Sequence, residues 1–343
     1  MLLKKKIFLI IVFLAVSFKG QAQLEIDTHP LDITIASDKY VDYSDQLLLR
    51  IMTVSKINEL EIINTNNKQS IKLKPLGASS LGFGFNYKWL GLGITFGLPA
   101  TIEDEKKFGK TDRFDFQLNI YSKKFVIDAF VQHYKGFYVA NADNLVNWND
   151  VVFPQRPTME TFSVGVGWYY VFNHKKLSYK AAYVRNALQK KSAGSFLLGG
   201  FYSFDYGGFP SKDTSSFVPE YFPKEIQDSL VIDAYAARSV GISLGYTYTF
   251  VFLKNFFINL SLIPGIGTKN ITVYRDDVKT NETSPVGRFN GRVALGYENK
   301  HFLLGITSNG VTGNMEFKNY EIKPTTSNLK VFVAKRFNLK KKK

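Results

Sequence analysis

The chain has 343 residues, no cysteine, 15% aromatic residues and a formal net charge of +15. Without cysteine there is no disulfide, no thiolate metal ligand and no lipid-modified N-terminus. Aromatics this abundant at a mean hydropathy of only −0.10 suit a sheet greasy on one face, with aromatic girdles at its edges, better than a soluble core.

Residues 1–22 read as a secretory signal peptide: Lys4-Lys5-Lys6, the apolar run Ile7 to Val16, then Gly20-Gln21-Ala22 with small residues at the cleavage site. Beyond it the sequence has no stretch of about 18 apolar residues, which argues against helical membrane spans. Part of the positive charge leaves with the signal, and part lies in a basic tail, 339–343. No helix interleaves aromatic and basic residues in a stripe, so nucleic acid is not an expected partner. Lysines at strand ends instead suit lipid headgroups of an outer membrane.

Residues 23–43 read as a periplasmic lead-in and 44–338 as the barrel domain. Gln46 to Val54 and Leu60 to Ile63 are extended, with an interruption at Ser55 to Asn58, and Ile71 to Lys74 follows. Gly77 to Leu98 then states the rule the chain repeats. Leu81, Phe83, Phe85 and Tyr87 alternate with Ser80, Gly82, Gly84 and Asn86, and after Lys88-Trp89 the alternation resumes from Leu90 to Leu98. One face is apolar and aromatic, the other small and polar, which is the pattern of a strand with lipid outside and a polar lumen inside.

Five short polar turns share one design, Lys bracketed by aromatics: Tyr87 to Trp89, Tyr121 to Phe125, Phe172 to Lys176, Phe252 to Phe256 and Tyr297 to Phe302. Short turns gather at the periplasmic end of such barrels, so the long polar segments 100–112, 136–159, 207–236, 269–286 and 313–327 belong outside. The same alternation runs through Phe114 to Ile120, Phe162 to Tyr170, Val240 to Phe250 and Phe289 to Tyr297. Parity raises one difficulty: Leu177 to Val184 should run outward and Val240 to Phe252 inward, leaving Gly194 to Tyr206 without a direction. Treating 177–206 as one pass broken at Arg185 to Ser192 gives an all-β, antiparallel transmembrane β-barrel of about 12 strands, or 14 if another pass lies in 213–236. The last strand, Asn328 to Phe337, ends in Phe like the signal read by the outer-membrane assembly machinery, although six residues follow it.

Tyr87-Lys88-Trp89, the run Gln189 to Gly199 (QKKSAGSFLLG) and Asp213 to Pro219 (DTSSFVP) together resemble a family of secreted Bacteroidota barrel proteins known only as a domain of unknown function. The resemblance spans roughly Tyr40 to Phe337. It implies an outer-membrane barrel and carries over no activity.

Few residues suggest chemistry. Outer-membrane lipid hydrolases place Ser and His two residues apart on one strand face, and none of the four histidines has that neighbour; His133 alone sits near an outer rim. No catalytic residue, metal ligand set or cofactor is therefore assigned, and the loop carboxylates Glu103-Asp104-Glu105 and Asp276-Asp277 read as solvated charge. Gly82-Phe83-Gly84 and Gly165-Val166-Gly167 are strand glycines, not a phosphate loop. The candidates are cations. Arg185, Lys190, Lys191, Arg288, Arg292, Lys330 and Arg336 would make an electropositive lumen if several face inward. The alternative is a packed interior in which they pair with Asp115, Asp128, Asp205 and Glu298. The leading expectation is a porin-like narrow channel or transport barrel for small, possibly anionic, solutes. A closed structural or lipid-interacting barrel and a lipid-modifying enzyme are the alternatives.

Overall fold

The structure, a computed structural model, describes residues 38–77, 79–88, 90–210, 216–275 and 278–338. The expected signal peptide, most of the lead-in and the basic tail lie outside the described residues.

Fifteen strands follow the alternation: β1 (Tyr40–Asp42), β2 (Leu47–Asn64), β3 (Ser70–Lys74), β4 (Ser79–Tyr87), β5 (Leu90–Gly97), β6 (Asp112–Tyr121), β7 (Phe125–Val139), β8 (Gln155–Val171), β9 (Ala187–Gln189), β10 (Ala193–Gly208), β11 (Ala234–Phe252), β12 (Phe256–Arg275), β13 (Val278–Glu298), β14 (Phe302–Phe317) and β15 (Tyr320–Phe337). Four short helices lie between them: α1 (Ile102–Phe108), α2 (Ala142–Val146), α3 (Tyr179–Tyr183) and α4 (Lys224–Ser229). All strand pairs are antiparallel, and β15 closes on β2 from Tyr320↔Asn64 to Phe337↔Leu47.

The sheet closes twice. Near one end β2 pairs β3 (Leu60↔Leu73 to Ile63↔Ser70) and β3 touches β7 at Leu73↔Val139 and Lys74↔Tyr138, completing a ring of ten strands with β4, β5 and β6 outside it. Near the other end β2 pairs β4 instead, from Leu48↔Asn86 to Ser55↔Ser79, and the circuit runs through β4, β5, β6 and β7, making twelve. The five Lys-bearing turns, the start of β2 and the end of β15 share one rim, here the turn end; α1, α2 and α4 mark the opposite, loop end.

Period-two alternation places apolar side chains on the outside, where no second sheet covers them. Ile242, Leu244 and Leu262 are each at least 60% exposed. Rings cluster near the turn end, with Phe252–Phe256 stacked at 5.8 Å, Phe256–Tyr297 at 5.2 Å and Lys335 Nζ 5.3 Å from both Phe302 and Phe337. A band of aromatics beside lysines is the composition of a membrane interface. Inward positions are small where strands crowd: a side chain on Gly199 would start 1.7 Å from the Trp168 carbonyl oxygen, inside any van der Waals contact.

Several expectations are corrected. β2 is continuous, with no break at Ser55 to Asn58. Segments 269–286 and 313–327 are the far arms of the β12–β13 and β14–β15 hairpins rather than loops. The outward pass beside β8 is β10 alone, and Leu177 to Val184 is not a strand. Among the described residues of 213–236 there is a helix and the start of β11, but no further pass.

Candidate functional site in the barrel interior

The interior is built in three layers. At the loop end, residues from the strand tips meet Phe209 and residues of 216–233 in an apolar cap that includes Ile62, Leu73, Met159, Phe217, Leu230 and Ile271, all buried. Each such side chain contributes about 1.5–3 kcal/mol by leaving water, so this cap is a core and not a loose lid.

At the turn end the segment 177–189 folds into the lumen. Ser178 caps α3 by accepting a hydrogen bond from the Ala181 N–H at 3.3 Å. Tyr179 and Tyr183, one helical turn apart, face the polar wall, and the Tyr183 hydroxyl donates to Asn259 Oδ1 at 2.6 Å. Asn259 and Ser261 are buried and join Thr247 and Thr249 in one hydrogen-bonded patch on β11 and β12. The helix ends at Arg185, whose φ of 73° is left-handed. That turn aims the guanidinium at the Phe257 and Phe332 rings, 4.0 and 5.3 Å away, and brings it 4.0 Å from Glu298. Arg336 binds Glu298 as well, and donates to the Arg185 carbonyl at 2.8 Å. β9 then pairs with β1. Lys180 bonds Asp42 at 3.1 Å. Burial opposes an ionised Asp42 carboxyl, but Lys180 and hydrogen bonds from Ser44 outweigh it, so the group sits below its ordinary range.

Between cap and plug lies a chamber of about 180 Å³, lined by side chains from β2, β6, β7, β13, β14 and β15 and floored by Tyr183 and Val184. Two inward ion pairs are settled. Arg292 holds Asp128 at 2.7 Å and the Tyr121 hydroxyl at 3.1 Å, and Lys56 pairs with Asp115. Three other cations lie outside those pairs. Arg288 lies over the Phe201 ring at 4.9 Å, Lys330 donates to Gln117 Oε1 at 3.3 Å, and the Nε atoms of Arg50 and Arg288 are buried without an acceptor.

The seven expected cations therefore divide. Arg288, Arg292 and Lys330 line the chamber. Arg185 lies in the plug, and Arg336 on β15 holds it through the Arg185 carbonyl. Lys190 and Lys191 are exposed at the turn end, where Lys191 pairs with Asp38 at 3.2 Å, so the structure does not bring them to the lumen. Of the four carboxylates expected to pair with these cations, Asp128 binds Arg292 and Glu298 binds Arg336, whereas Asp115 binds Lys56 and Asp205 lines the chamber with Arg288. Arg50 was missed, although a lone charge inside LLLRIM at inward parity with Leu48 and Met52 is a readable signal. The four-residue spacing of Tyr179 and Tyr183, a helical and not a strand period, is the signal for the plug. His133 stands 3.1 Å from Glu160 at the barrel rim. Glu103, Asp104 and Glu105 form the acidic first turn of α1, and no group of three metal-ligating side chains occurs among the described residues.

A closed antiparallel sheet, apolar outside and polar within, defines a β-barrel resembling those of outer membranes. The chain belongs to the family described as a domain of unknown function, DUF4421, whose model matches residues 36–337. No curated protein matches the sequence. Among solved structures, it is similar to the outer-membrane protease OmpT of Escherichia coli, with 9% identity, a TM-score of 0.40, and 86% of this chain and 98% of that one covered. It is also similar to the translocator domain of the autotransporter NalP from Neisseria meningitidis, with 8% identity, a TM-score of 0.34, and 84% and 88% covered. The toluene transporter TodX of Pseudomonas putida matches with 7% identity, a TM-score of 0.29, and 86% and 91% covered.

Proposed function

We propose that this protein is an outer-membrane barrel that admits and holds a small anionic solute in its internal chamber, rather than an open pore. The observation that carries the reading is the set Arg50, Arg288 and Lys330, which face one cavity outside the interior ion pairs. All three are half-buried, and Asp205 is the carboxylate that shares the chamber wall with Arg288; cations so withdrawn from water, with guanidinium Nε atoms left without an acceptor, are costly, and an anion is the partner that would relieve them. The apolar cap and the Tyr179–Arg185 plug stand across the axis at either end, which argues against free conduction. The lipid-facing exterior, the signal-like residues 1–22 and the Phe-ended β15 support export to the outer membrane of a Bacteroidota-type cell through its assembly machinery.

The test pairs two measurements on refolded protein. Planar-bilayer recording of the intact chain is expected to be silent, and calorimetry with inorganic phosphate is expected to show binding that Arg50→Gln with Lys330→Gln weakens by about tenfold or more. Stable anion-selective steps from intact protein would make it a channel. Folded protein that neither conducts nor binds would favour the second reading, a closed structural barrel, for which the Arg292–Asp128 and Arg336–Glu298 pairs speak.

A further inference from the structure

The wall of the barrel is not equally stitched. β4 and β5 pair from Ser80↔Gly97 to Tyr87↔Leu90, and β6 and β7 pair from Asp112↔Lys135 to Tyr121↔Val126. Between those two hairpins, β5 and β6 meet at Leu90↔Ile120 and Gly91↔Asn119, and no other pair joins them among the described residues. Continued in register, Gly93 would face Gln117, Thr95 would face Asp115 and Phe96 would face Phe114. Above the two joined pairs the backbone ladder stops, and at the far end of the seam the Arg113 side chain of β6 lies against Gly97 of β5.

Bare strand edges are tolerated inside a bilayer only where they border a cavity or protein. Here the β6 edge borders the chamber. Gln117 and Asn119 of β6 line it, as does Arg50 of β2. The Arg50 guanidinium reaches across β4 toward β5: a side chain on Gly93 would begin 3.6 Å from its Nη2 atom. Lys330 lines the same chamber as Arg50, and Gln117 is the residue to which Lys330 donates. Outside the same opening Phe83, Phe96, Phe114 and Phe116 are exposed. The opening is thus apolar on its lipid side and cationic on its chamber side.

We infer that the opening between β5 and β6 is a lateral portal for an anionic amphiphile. Its phosphate or carboxylate head group enters from the bilayer to meet Arg50 and Lys330, while its hydrocarbon chain stays against Phe96, Phe114 and Phe116. The inference rests on the anion-binding reading of the chamber and adds to it the class of ligand and its route. A free inorganic anion shares the head-group chemistry but has no use for an apolar rim.

The native chain has no cysteine, so Phe96→Cys with Phe114→Cys gives one pair of thiols on the lipid side of the portal, away from the chamber. The pair is bridged by oxidation, or by the shortest bis-methanethiosulfonate that reacts, and reopened with dithiothreitol. Binding of dodecyl phosphate and of inorganic phosphate is measured on both forms in maltoside micelles. The expected result is that bridging weakens dodecyl phosphate at least about tenfold, leaves inorganic phosphate unchanged, and is reversed by reduction. Equal dodecyl phosphate binding by both forms overturns the portal, as does a reduced form that binds inorganic phosphate alone. Equal loss of both ligands on bridging overturns the amphiphile assignment and makes the opening a general entrance. A reduced form that binds neither ligand removes the anion-binding chamber itself, a separate failure.

Discussion

Glu298 is the residue whose removal best tests whether the segment 177–189 is a latched plug. Its carboxylate is 2% exposed and serves two guanidinium groups, Arg336 directly and Arg185 at 4.0 Å. Glu298→Gln keeps the shape and removes the charge. Breaking a buried ion pair from one side costs about 3–5 kcal/mol. Part of that is retained, because Arg336 still donates to the Asn299 and Arg185 carbonyls at 2.8 Å each and Arg185 still donates to Ala181 at 2.8 Å. A net cost of about 2–4 kcal/mol is expected. The barrel hydrogen bonds do not depend on it, so the cost falls on docking of the plug. Local opening should therefore rise by roughly 30- to 700-fold. Trypsin cleavage after Lys180 or Arg185, both buried in the docked plug, followed in detergent under conditions where cleavage is slow, reads that opening directly. The heat-modifiable migration of the folded barrel should persist. Cleavage at the wild-type rate in a folded Glu298→Gln barrel would refute the latch.

Two further outcomes follow from the same structure. Leu244→Arg, on the exposed face near the middle of the Val240 to Phe252 band, should cost about 2–4 kcal/mol of barrel stability in urea titration in lipid, whereas Thr326→Arg, lining the chamber, should cost far less; equal costs would mean the faces are misassigned. The Asp42–Lys180 contact should weaken with acid: because the folded carboxyl titrates below its ordinary range, its contribution is complete above about pH 4 and is lost as pH falls through the folded value. Hydrogen exchange of β1 and β9 should accelerate over that window, and Asp42→Asn should flatten the dependence.

Much of the barrel was legible because period two is a strong signal when one face meets lipid. Every outward residue named from Val240 to Phe250 lies on the outer face, and the five Lys-bearing turns share one rim. The interior was less legible. Ser243, on the small face, looks in sequence like open lumen where an arginine would be tolerated, yet it is 4% exposed and packed near Phe201. Small residues mark an inward face whether the space is water or another side chain. Ser178 to Val184 (SYKAAYV) stands between strands, a context that masks its helical spacing. Lys190 and Lys191 fell outside the lumen because the turn that follows Arg185 sends the chain back to β1. Which cations would remain outside the ion pairs depended on long-range register, which no local pattern encodes.

The double closure of the sheet has a mechanical meaning. Barrel diameter grows roughly in proportion to strand number, so a wall of twelve strands at the turn end and ten at the loop end is a funnel, about a fifth wider at its mouth. A stopper seated from the wide end of a funnel tightens when pushed toward the narrow one. The segment 177–189 sits at the wide end, with its helix turned into the bore and the β1–β9 strip attached behind it. Force directed from the turn end toward the loop end would seat it, and force in the opposite sense would be resisted by the Arg185–Glu298–Arg336 contacts together with the Tyr183–Asn259 hydrogen bond.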